Sequence, residues 1–353
     1  MLKNILFLWK KTKKMKAKPI KTNIKNVINR SYMTRFFAGK VPTYWPERKL
    51  KSLKLEVVRN FLGMNETVAL KFTLKLNNNK GVIFRGSATS VDKSPRNTYL
   101  AFSYLNQAGY SETIPKIFDY DQKLNLQFYQ ELPGTTIQSL IDEKKIKKLQ
   151  PLIKQSAGLI KKVHQIKPIG RELAIRTRTW ENREHLKEVS LVKKCYKLDK
   201  GRFLAIRKEA DQKRKKWLKY FYQTKNYRLN HGDYHPGNVI VNRGQAKVID
   251  FSAGSFYEPT FDISRFLIQL EMMLRYHFSD RYLKIVKPLR ASFCKVYYKN
   301  QISRVDQFKI KYYEIQHLLQ IMSIIAFIEN KQPYQETSME AFYKIAESRL
   351  KKL

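Results

Sequence analysis

One short segment concentrates the side chains that phosphate chemistry needs. Residues 229–250 read LNHGDYHPGNVIVNRGQAKVID and place Asp233, Asn238 and Asp250 within 18 positions, together with two histidines. Amide and carboxylate oxygens are the ligands that Mg²⁺ prefers, and the ion takes its remaining ligands from water and phosphate. A further carboxylate close by can accept a proton from a hydroxyl nucleophile. The residue types therefore indicate a metal-dependent phosphoryl-transfer site.

The segment also contains the signals that bring these side chains together. Residues 238–241 and 246–250 are β-branched runs joined by NRGQ, in which Gly244 is available for positive φ, so a β-hairpin is predicted. The two ends of an antiparallel hairpin are neighbours, which places Asn238 beside Asp250, and Asp233 lies one short loop earlier. We expect Asn238 and Asp250 to hold the metal and Asp233 to act as the proton acceptor.

The elements before this segment predict a small lobe rich in β-strands. From about residue 52 the sequence alternates between apolar and polar residues in three runs, which are separated by GMN and NNNKG. A helical run and two further strands follow, and the last strand ends at Pro133 and Gly134. After Gly134 nearly every segment outside 229–250 has helical periodicity. The chain is therefore expected to be α+β, with a small antiparallel β-rich lobe before a larger helical lobe.

The order H-G-D, four residues, N, hairpin, I-D resembles the aminoglycoside phosphotransferase and choline kinase family, which is related to protein kinases. The matching residues here are His231, Gly232, Asp233, Asn238, Ile249 and Asp250, and YHPGN also looks like that family's loop. The resemblance implies a two-lobed protein-kinase-like fold, with a nucleotide-binding lobe over 51–132 and a helical catalytic lobe over 133–353. Residues 1–50 lie outside the resemblance and are expected to form a flexible basic extension. It also implies ATP and Mg²⁺ as cofactors and a small-molecule hydroxyl acceptor.

The same resemblance implies roles for further residues. Arg85, on the third strand, stands where the family places a cation for the nucleotide phosphates, and FYQELPG resembles the segment whose backbone, around Gln130 and Leu132, pairs with adenine. The residues expected to order the catalytic loop are His231, His235 and Asp262, although His235 could instead face the substrate. Asp262 would tie a helix to the loop and could also serve as the helix N-cap, since both roles can hold at once.

One departure from the family weakens the expectation of activity. The helix of the small lobe usually carries a glutamate that pairs with the strand cation, but PRNTYL offers Asn97 and Thr98 at that turn. Asp92, or a residue distant in sequence, would have to orient the cation instead. A catalytically weak or inactive nucleotide-binding module that acts through interactions is therefore the alternative function.

Charge and cysteine content bear on partners and compartment. The chain has 353 residues and a formal charge of +41, which suits anionic partners, although lysines spread over amphipathic helices are the usual solvated residues. Residues 1–50 hold 14 basic residues and one acidic residue, Glu47. This extension fits a disordered arm, a membrane-surface helix or an organelle presequence, so weak contact with an anionic membrane or nucleic acid is a further hypothesis. Two isolated cysteines, Cys195 and Cys294, favour a reducing, cytoplasmic compartment.

The identity of the acceptor is not encoded in these motifs. A site for a polycation needs several carboxylates, and this chain has only 29 acidic residues against 70 basic ones. The balance favours a neutral or anionic alcohol, such as a sugar, nucleoside or lipid headgroup, over an aminoglycoside. An amino alcohol is a further candidate acceptor. A few local carboxylates, such as Glu258, would be needed for the opposite interpretation.

Overall fold

A computed structural model of the chain describes residues 22–60, 66–90, 92–168, 172–193, 195, 198–299, 301–329 and 337–353. It divides into two compact units. The larger unit comprises Thr135–Ala246 and Ser255–Leu353, and the smaller unit comprises the described residues up to Gly134 together with Lys247–Gly254. Residues 61–65, which include the GMN turn predicted between the first two strands, and residues 1–21 of the basic extension lie outside the described residues.

The smaller unit is built on an antiparallel sheet. Its elements are α1 (Thr22–Ile28), α2 (Arg30–Tyr44), β1 (Leu50–Asn60), β2 (Thr67–Leu76), β3 (Gly81–Thr89), α3 (Ser94–Gln107), β4 (Ile117–Asp121) and β5 (Leu126–Gln130). The strand order is β1-β2-β3-β5-β4. On β2 the buried residues alternate with half-buried or exposed ones, because successive side chains of a strand point to opposite faces. This sheet, with α3 inserted before β4, confirms the predicted β-rich small lobe.

The apolar face of this sheet is covered by the N-terminal helices. Phe37 of α2 is fully buried, and its ring lies 5.0 Å from Phe72 and 5.4 Å from Phe128. Helix α2 begins after Asn29, whose side chain accepts the N–H of Tyr32 as an N-cap. The sequence analysis expects a flexible extension over 1–50, and the structure differs: its described residues 22–44 are helical and belong to the core, because their apolar side chains cover a sheet face that would otherwise meet water.

The larger unit is mainly helical, as predicted. Its helices are α4 (Ile137–Asp142), α5 (Leu149–Val163), α6 (Arg178–Lys193), α7 (Lys200–Lys215), α8 (Thr260–Phe278), α9 (Tyr282–Tyr298), α10 (Arg304–Glu329) and α11 (Thr337–Leu350). Short strands β6 (Thr135–Thr136), β7 (Arg228–Asn230), β8 (Val239–Asn242), β9 (Gln245–Val248) and β10 (Ser255–Tyr257) lie between them, and the chain enters the smaller unit within β9. Helix α8 is buried around most of its circumference, as expected for a central helix. No described helix has both the length and the apolar character needed to cross a membrane.

Candidate active site

The loop that carries the H-G-D motif follows a short antiparallel ribbon. Strand β7 pairs with β10, so the chain emerges at His231 from a fixed position. Gly232 has a φ of 79°, a left-handed conformation that costs glycine little and other residues more. The loop ends in one 3₁₀ turn over Pro236–Asn238, and β8 begins at the next residue. The predicted hairpin is present, with Gly244 at a φ of 78° in its turn.

A buried carboxylate fixes the start of this loop. Asp262 accepts the backbone N–H of His231 at 2.7 Å and that of Gly232 at 2.8 Å. His164 Nε2 lies 3.1 Å from the same carboxylate, and the other ring nitrogen of His164 lies 2.7 Å from the Tyr297 hydroxyl. Burial raises the pKa of Asp262, but the hydrogen bonds and the two histidines outweigh burial and lower it overall. The loop is therefore tied to α8 through an ionised carboxylate.

Asp262 lies within the first turn of α8 and not at its N-cap position. The N-cap position of α8 is Pro259, and Asp262 is the third helical residue, in the first turn. The expected N-cap role therefore does not occur. A carboxylate in the first turn still interacts favourably with the positive end of the helix dipole, while its side chain is free to reach the loop.

The environment of Asp233 keeps its carboxylate charged. Arg265 Nη2 lies 2.5 Å from Asp233 Oδ1, and His235 Nε2 lies 3.7 Å from Oδ2. Burial raises the pKa of Asp233, whereas Arg265 and the loop histidines lower it, and the net pKa is well below the usual range. The backbone of Asp233 is held as well, because its N–H donates to His231 Nδ1 at 3.2 Å and its carbonyl accepts from Asn238 at 3.0 Å.

Arg265 is a residue that the motif-based prediction missed. It lies three positions after Asp262 on α8, a spacing that places both side chains on one face of a helix. Asp262 contacts the start of the loop, and Arg265 contacts Asp233 on the same loop. Arg265 is steadied by a hydrogen bond from Nη1 to Gln320 at 2.9 Å. The i, i+3 relation to Asp262 is the signal that could have identified it.

The turn that delivers Asn238 leaves no room for a side chain at Gly237. A Cβ there would lie 2.6 Å from Gln138 Oε1 and 2.7 Å from His235 Cε1. The Gly237 N–H donates to His235 Nδ1 at 3.0 Å, so this histidine orders the turn, as the resemblance implies. Because the Asn238 amide nitrogen is engaged by the Asp233 carbonyl, its Oδ1 is the atom that would face a metal ion.

The smaller unit supplies a carboxylate partner for Arg85 from an unexpected place. Arg85 donates to Glu131 Oε1 from Nε at 2.7 Å and from Nη2 at 2.5 Å. Glu131 directly follows β5, and no carboxylate of α3 is involved. The suggested partner Asp92 instead accepts the N–H of Ser94 at 2.8 Å. The orienting carboxylate that the sequence appeared to lack is therefore Glu131.

The segment expected to meet adenine has part of its backbone already paired. The Gln130 N–H donates to the Lys116 carbonyl at 2.9 Å, and the Glu131 N–H donates to the Ile83 carbonyl at 2.8 Å. The Gln130 N–H is therefore already hydrogen-bonded within the protein. Adenine recognition by the groups around Gln130 and Leu132 stays a prediction.

Asp250 lies two residues after β9 in a left-handed conformation, with a φ of 65°. Its Oδ1 accepts the Ser252 N–H at 3.3 Å, which orients the carboxylate. Asp250 is also one of the groups that raise the pKa of Tyr129, after burial of that ring. Asn238 and Asp250 belong to different units, so their joint binding of Mg²⁺ stays a prediction.

The chemistry of this donor set suits Mg²⁺ bound together with phosphates. Within the described part of the chain, no three His, Cys, Asp or Glu side chains form a cluster that would hold a metal without further ligands. One carboxylate and one amide oxygen are a typical protein contribution to a Mg²⁺ site that is completed by water and phosphate oxygens.

Glu258 does not contribute to an acidic pocket. Its side chain is buried and accepts a hydrogen bond from the equally buried Lys309 at 2.7 Å. Burial raises the pKa of Glu258, and Lys309 opposes this effect. A carboxylate engaged in this way does not offer its charge to a cationic substrate.

A scan against protein-family models matches residues 87–291 to the model described as the phosphotransferase enzyme family. The match covers more than half of the chain and includes the end of β3, the H-G-D loop, the hairpin and α8. No curated protein sequence matches the chain.

Solved structures with the same fold come from small-molecule kinases. A choline kinase, LicA, from Streptococcus pneumoniae has a TM-score of 0.56 and 13% identity over 91% of this chain and 100% of its own. A choline/ethanolamine kinase family protein from Mesorhizobium loti has a TM-score of 0.60 and 12% identity over 90% and 94%. The amicoumacin kinase hAmiN, in complex with AMP-PNP, Ca²⁺ and Ami, has a TM-score of 0.59 and 14% identity over 84% and 88%. The predicted kinase-like fold and family resemblance are thereby confirmed.

Proposed function

The chain belongs to the phosphotransferase enzyme family, and on that premise we propose that it transfers the γ-phosphoryl group of ATP to a hydroxyl group of a small molecule in the presence of Mg²⁺. The observation that carries the proposal is the state of Asp233. Its carboxylate is ionised beside Arg265, on a loop whose backbone is fixed by Asp262. A group with this charge and rigidity suits the alignment and deprotonation of a hydroxyl nucleophile.

In the proposed reaction the acceptor oxygen forms a bond to the γ-phosphorus while the bond between that phosphorus and the bridging oxygen of ADP breaks. Asp233 takes the hydroxyl proton, and Oδ2 is the better placed oxygen because Oδ1 is engaged by Arg265. Asn238 and Asp250 would hold Mg²⁺, which neutralises charge on the phosphates when it is bound. Arg85 would grip phosphate oxygens with its planar guanidinium group.

The main argument for the alternative, an inactive nucleotide-binding module, is weakened. That alternative rests on the missing helix carboxylate, and Glu131 supplies a carboxylate to Arg85 through two hydrogen-bonding nitrogens. On the loop, Asp233 and Asn238 would supply the proton acceptor and one metal ligand. The two hypotheses differ in whether Asp233 is needed for ATP turnover.

We further propose a neutral or anionic alcohol as the acceptor. The charged neighbour of Asp233 in the larger unit is a guanidinium group, and Glu258 is neutralised by Lys309. A polycationic acceptor would meet Arg265 as a like charge. The solved neighbours include kinases named for choline and amicoumacin, which shows how widely acceptors vary on this fold.

The test measures ADP formation with a panel of sugars, nucleosides, amino alcohols and lipid headgroups for the wild type and Asp233→Asn. We expect turnover to fall about 10²–10⁴-fold in the variant, as is usual when a general base is removed. Asp306→Asn is the control, since Asp306 is a partly exposed aspartate outside the H-G-D loop, and its side chain accepts a hydrogen bond from Ser303. ATP with Mg²⁺ should still raise the melting temperature of both variants. Turnover by Asp233→Asn at the wild-type rate would disprove the assignment.

A further inference from the structure

A row of polar side chains crosses the smaller unit's sheet on one face. Register pairs Glu56 of β1 with Lys71 of β2, Lys71 with Arg85 of β3, and Arg85 with Tyr129 of β5. Paired residues of antiparallel strands share a face. The neighbouring positions on β2, Leu70 and Phe72, are buried on the opposite face. Lys71 and Arg85 therefore stand side by side on the face that does not pack against α2.

Glu131 binds both cations at once. Its Oε1 accepts from Arg85, and its Oε2 lies 3.2 Å from Lys71 Nζ. The side chain of Glu131 is 18% exposed, and those of Lys71 and Arg85 are 25% and 34% exposed. The Glu131 backbone is fixed by its N–H bond to Ile83. One carboxylate shared between two cations leaves positive charge in excess, and both cations keep access to solvent.

The carboxylate at the end of the row does not remove this excess. Glu56 is bound to Lys54 at 3.0 Å and lies at the exposed edge of the sheet. The pKa of Glu56 is lowered first by Lys54 and to a smaller extent by Lys71 and Arg85. Its charge is therefore engaged mainly by its own strand neighbour.

The two cations also lie in the same unit as the expected metal ligand. Asp250 raises the pKa of Tyr129 after burial, while Arg85 lowers it, so both groups are within electrostatic reach of that ring. Tyr129 is the residue directly opposite Arg85 in the register. A polyphosphate that binds Arg85 would therefore find Lys71 one strand away and Asp250 nearby, a set that combines two cations with a metal ligand.

We propose that Lys71 is a second ligand for the nucleotide phosphates, which acts together with Arg85 and is held in place by Glu131. This proposal rests on the proposed function and adds to it a residue that no motif marks. The ammonium group of Lys71 is a compact charge that a phosphate oxygen can approach, while Arg85 presents a fork to two oxygens. The shared carboxylate fixes the distance between the two cations before the nucleotide arrives.

The test compares binding of ATP, ADP and adenosine, each with Mg²⁺, to the wild type, Lys71→Met, Lys71→Arg and Lys75→Met by isothermal titration calorimetry. Lys75 lies on the same strand and the same face but is exposed, so Lys75→Met is the matched control. We expect Lys71→Met to weaken ATP binding about tenfold, as is typical for a hydrogen bond to a charged group. ADP binding should weaken less, adenosine binding should not change, and Lys71→Arg should retain most of the affinity for ATP.

The outcomes separate this inference from the proposed function. Equal affinity of Lys71→Met and Lys75→Met for ATP would overturn the role of Lys71 and leave the proposed function intact. An equal loss for ATP and adenosine would show a structural effect and would also overturn it. If the wild type bound no ATP with Mg²⁺, both the inference and the proposed function would fall. If Lys71→Met were unfolded, it would lose adenosine binding as well as ATP binding. Lys71→Arg keeps the charge and tests the role of Lys71 without that risk.

Discussion

Replacement of Asp262 by asparagine tests how the catalytic loop is held. The carboxylate is buried and accepts two backbone N–H groups and one histidine nitrogen. An asparagine of the same shape keeps one oxygen, but its NH₂ group faces a donor, so at least one buried N–H loses its acceptor. Leaving one buried N–H unpaired costs about 1–3 kcal/mol, and the hydrogen bond that remains is no longer made to a charged acceptor, which raises the total to about 3–5 kcal/mol.

The expected result is a lower melting temperature with a specific dependence on pH. At about 2 °C per kcal/mol, the lower end of the range for large domains, Asp262→Asn should melt about 6–10 °C below the wild type at pH 7. The pKa of Asp262 is lowered in the folded protein, so its stabilising contribution is present above the unfolded pKa of about 3.9 and disappears as pH falls through the lower folded value. The difference between wild type and variant should therefore narrow below about pH 4.

The assay is thermal unfolding followed by circular dichroism between pH 3 and pH 8, with Asp306→Asn as control. Asp306 is also the third residue of its helix, so the control removes the same interaction with a helix dipole. Its carboxylate accepts a hydrogen bond from the Ser303 hydroxyl and holds no backbone loop in place, so Asp306→Asn should shift the melting temperature by about 1 °C. Equal shifts in the two variants, or a gap that does not change with pH, would refute the explanation that Asp262 stabilises the loop as an ion.

Two further predictions concern residues that the motifs did not mark. Phe37→Ala should cost about 3–5 kcal/mol in urea unfolding, because a fully buried ring that contacts four phenylalanines is lost. An unchanged midpoint would show that α2 does not stabilise the sheet. Arg265→Gln should move the acidic limb of kcat/KM to higher pH, since burial then acts on Asp233 without its strongest opposing cation. The pH–rate profile measures this, with Arg275→Gln on the same helix as control, and an unmoved limb would contradict it.

The lobe order and the hairpin could be predicted because their signals are local. Alternation on β2, the turn at Gly244 and the H-G-D spacing each lie within a few residues, and each fixes a conformation largely by itself. The same short range explains the error at the N-terminus. Basic composition over 1–50 suggested an extension, whereas the burial of Phe37 depends on a sheet face formed by residues 50–130.

The sequence alone determined the fold class, the family and the placement of Asp233, Asn238 and Asp250 on a loop and a hairpin. The tertiary structure decided which charged side chains lie beside Asp233 and Arg85. Arg265 is 32 positions from Asp233, and Glu131 is 46 positions from Arg85. Strand register places Lys71 beside Arg85, and its ammonium group forms an ion pair with Glu131. Ion pairs at such separations are set by how elements pack. The local sequence does not indicate which residue of another strand or helix will be the partner, so these ion pairs are seen only in the folded chain.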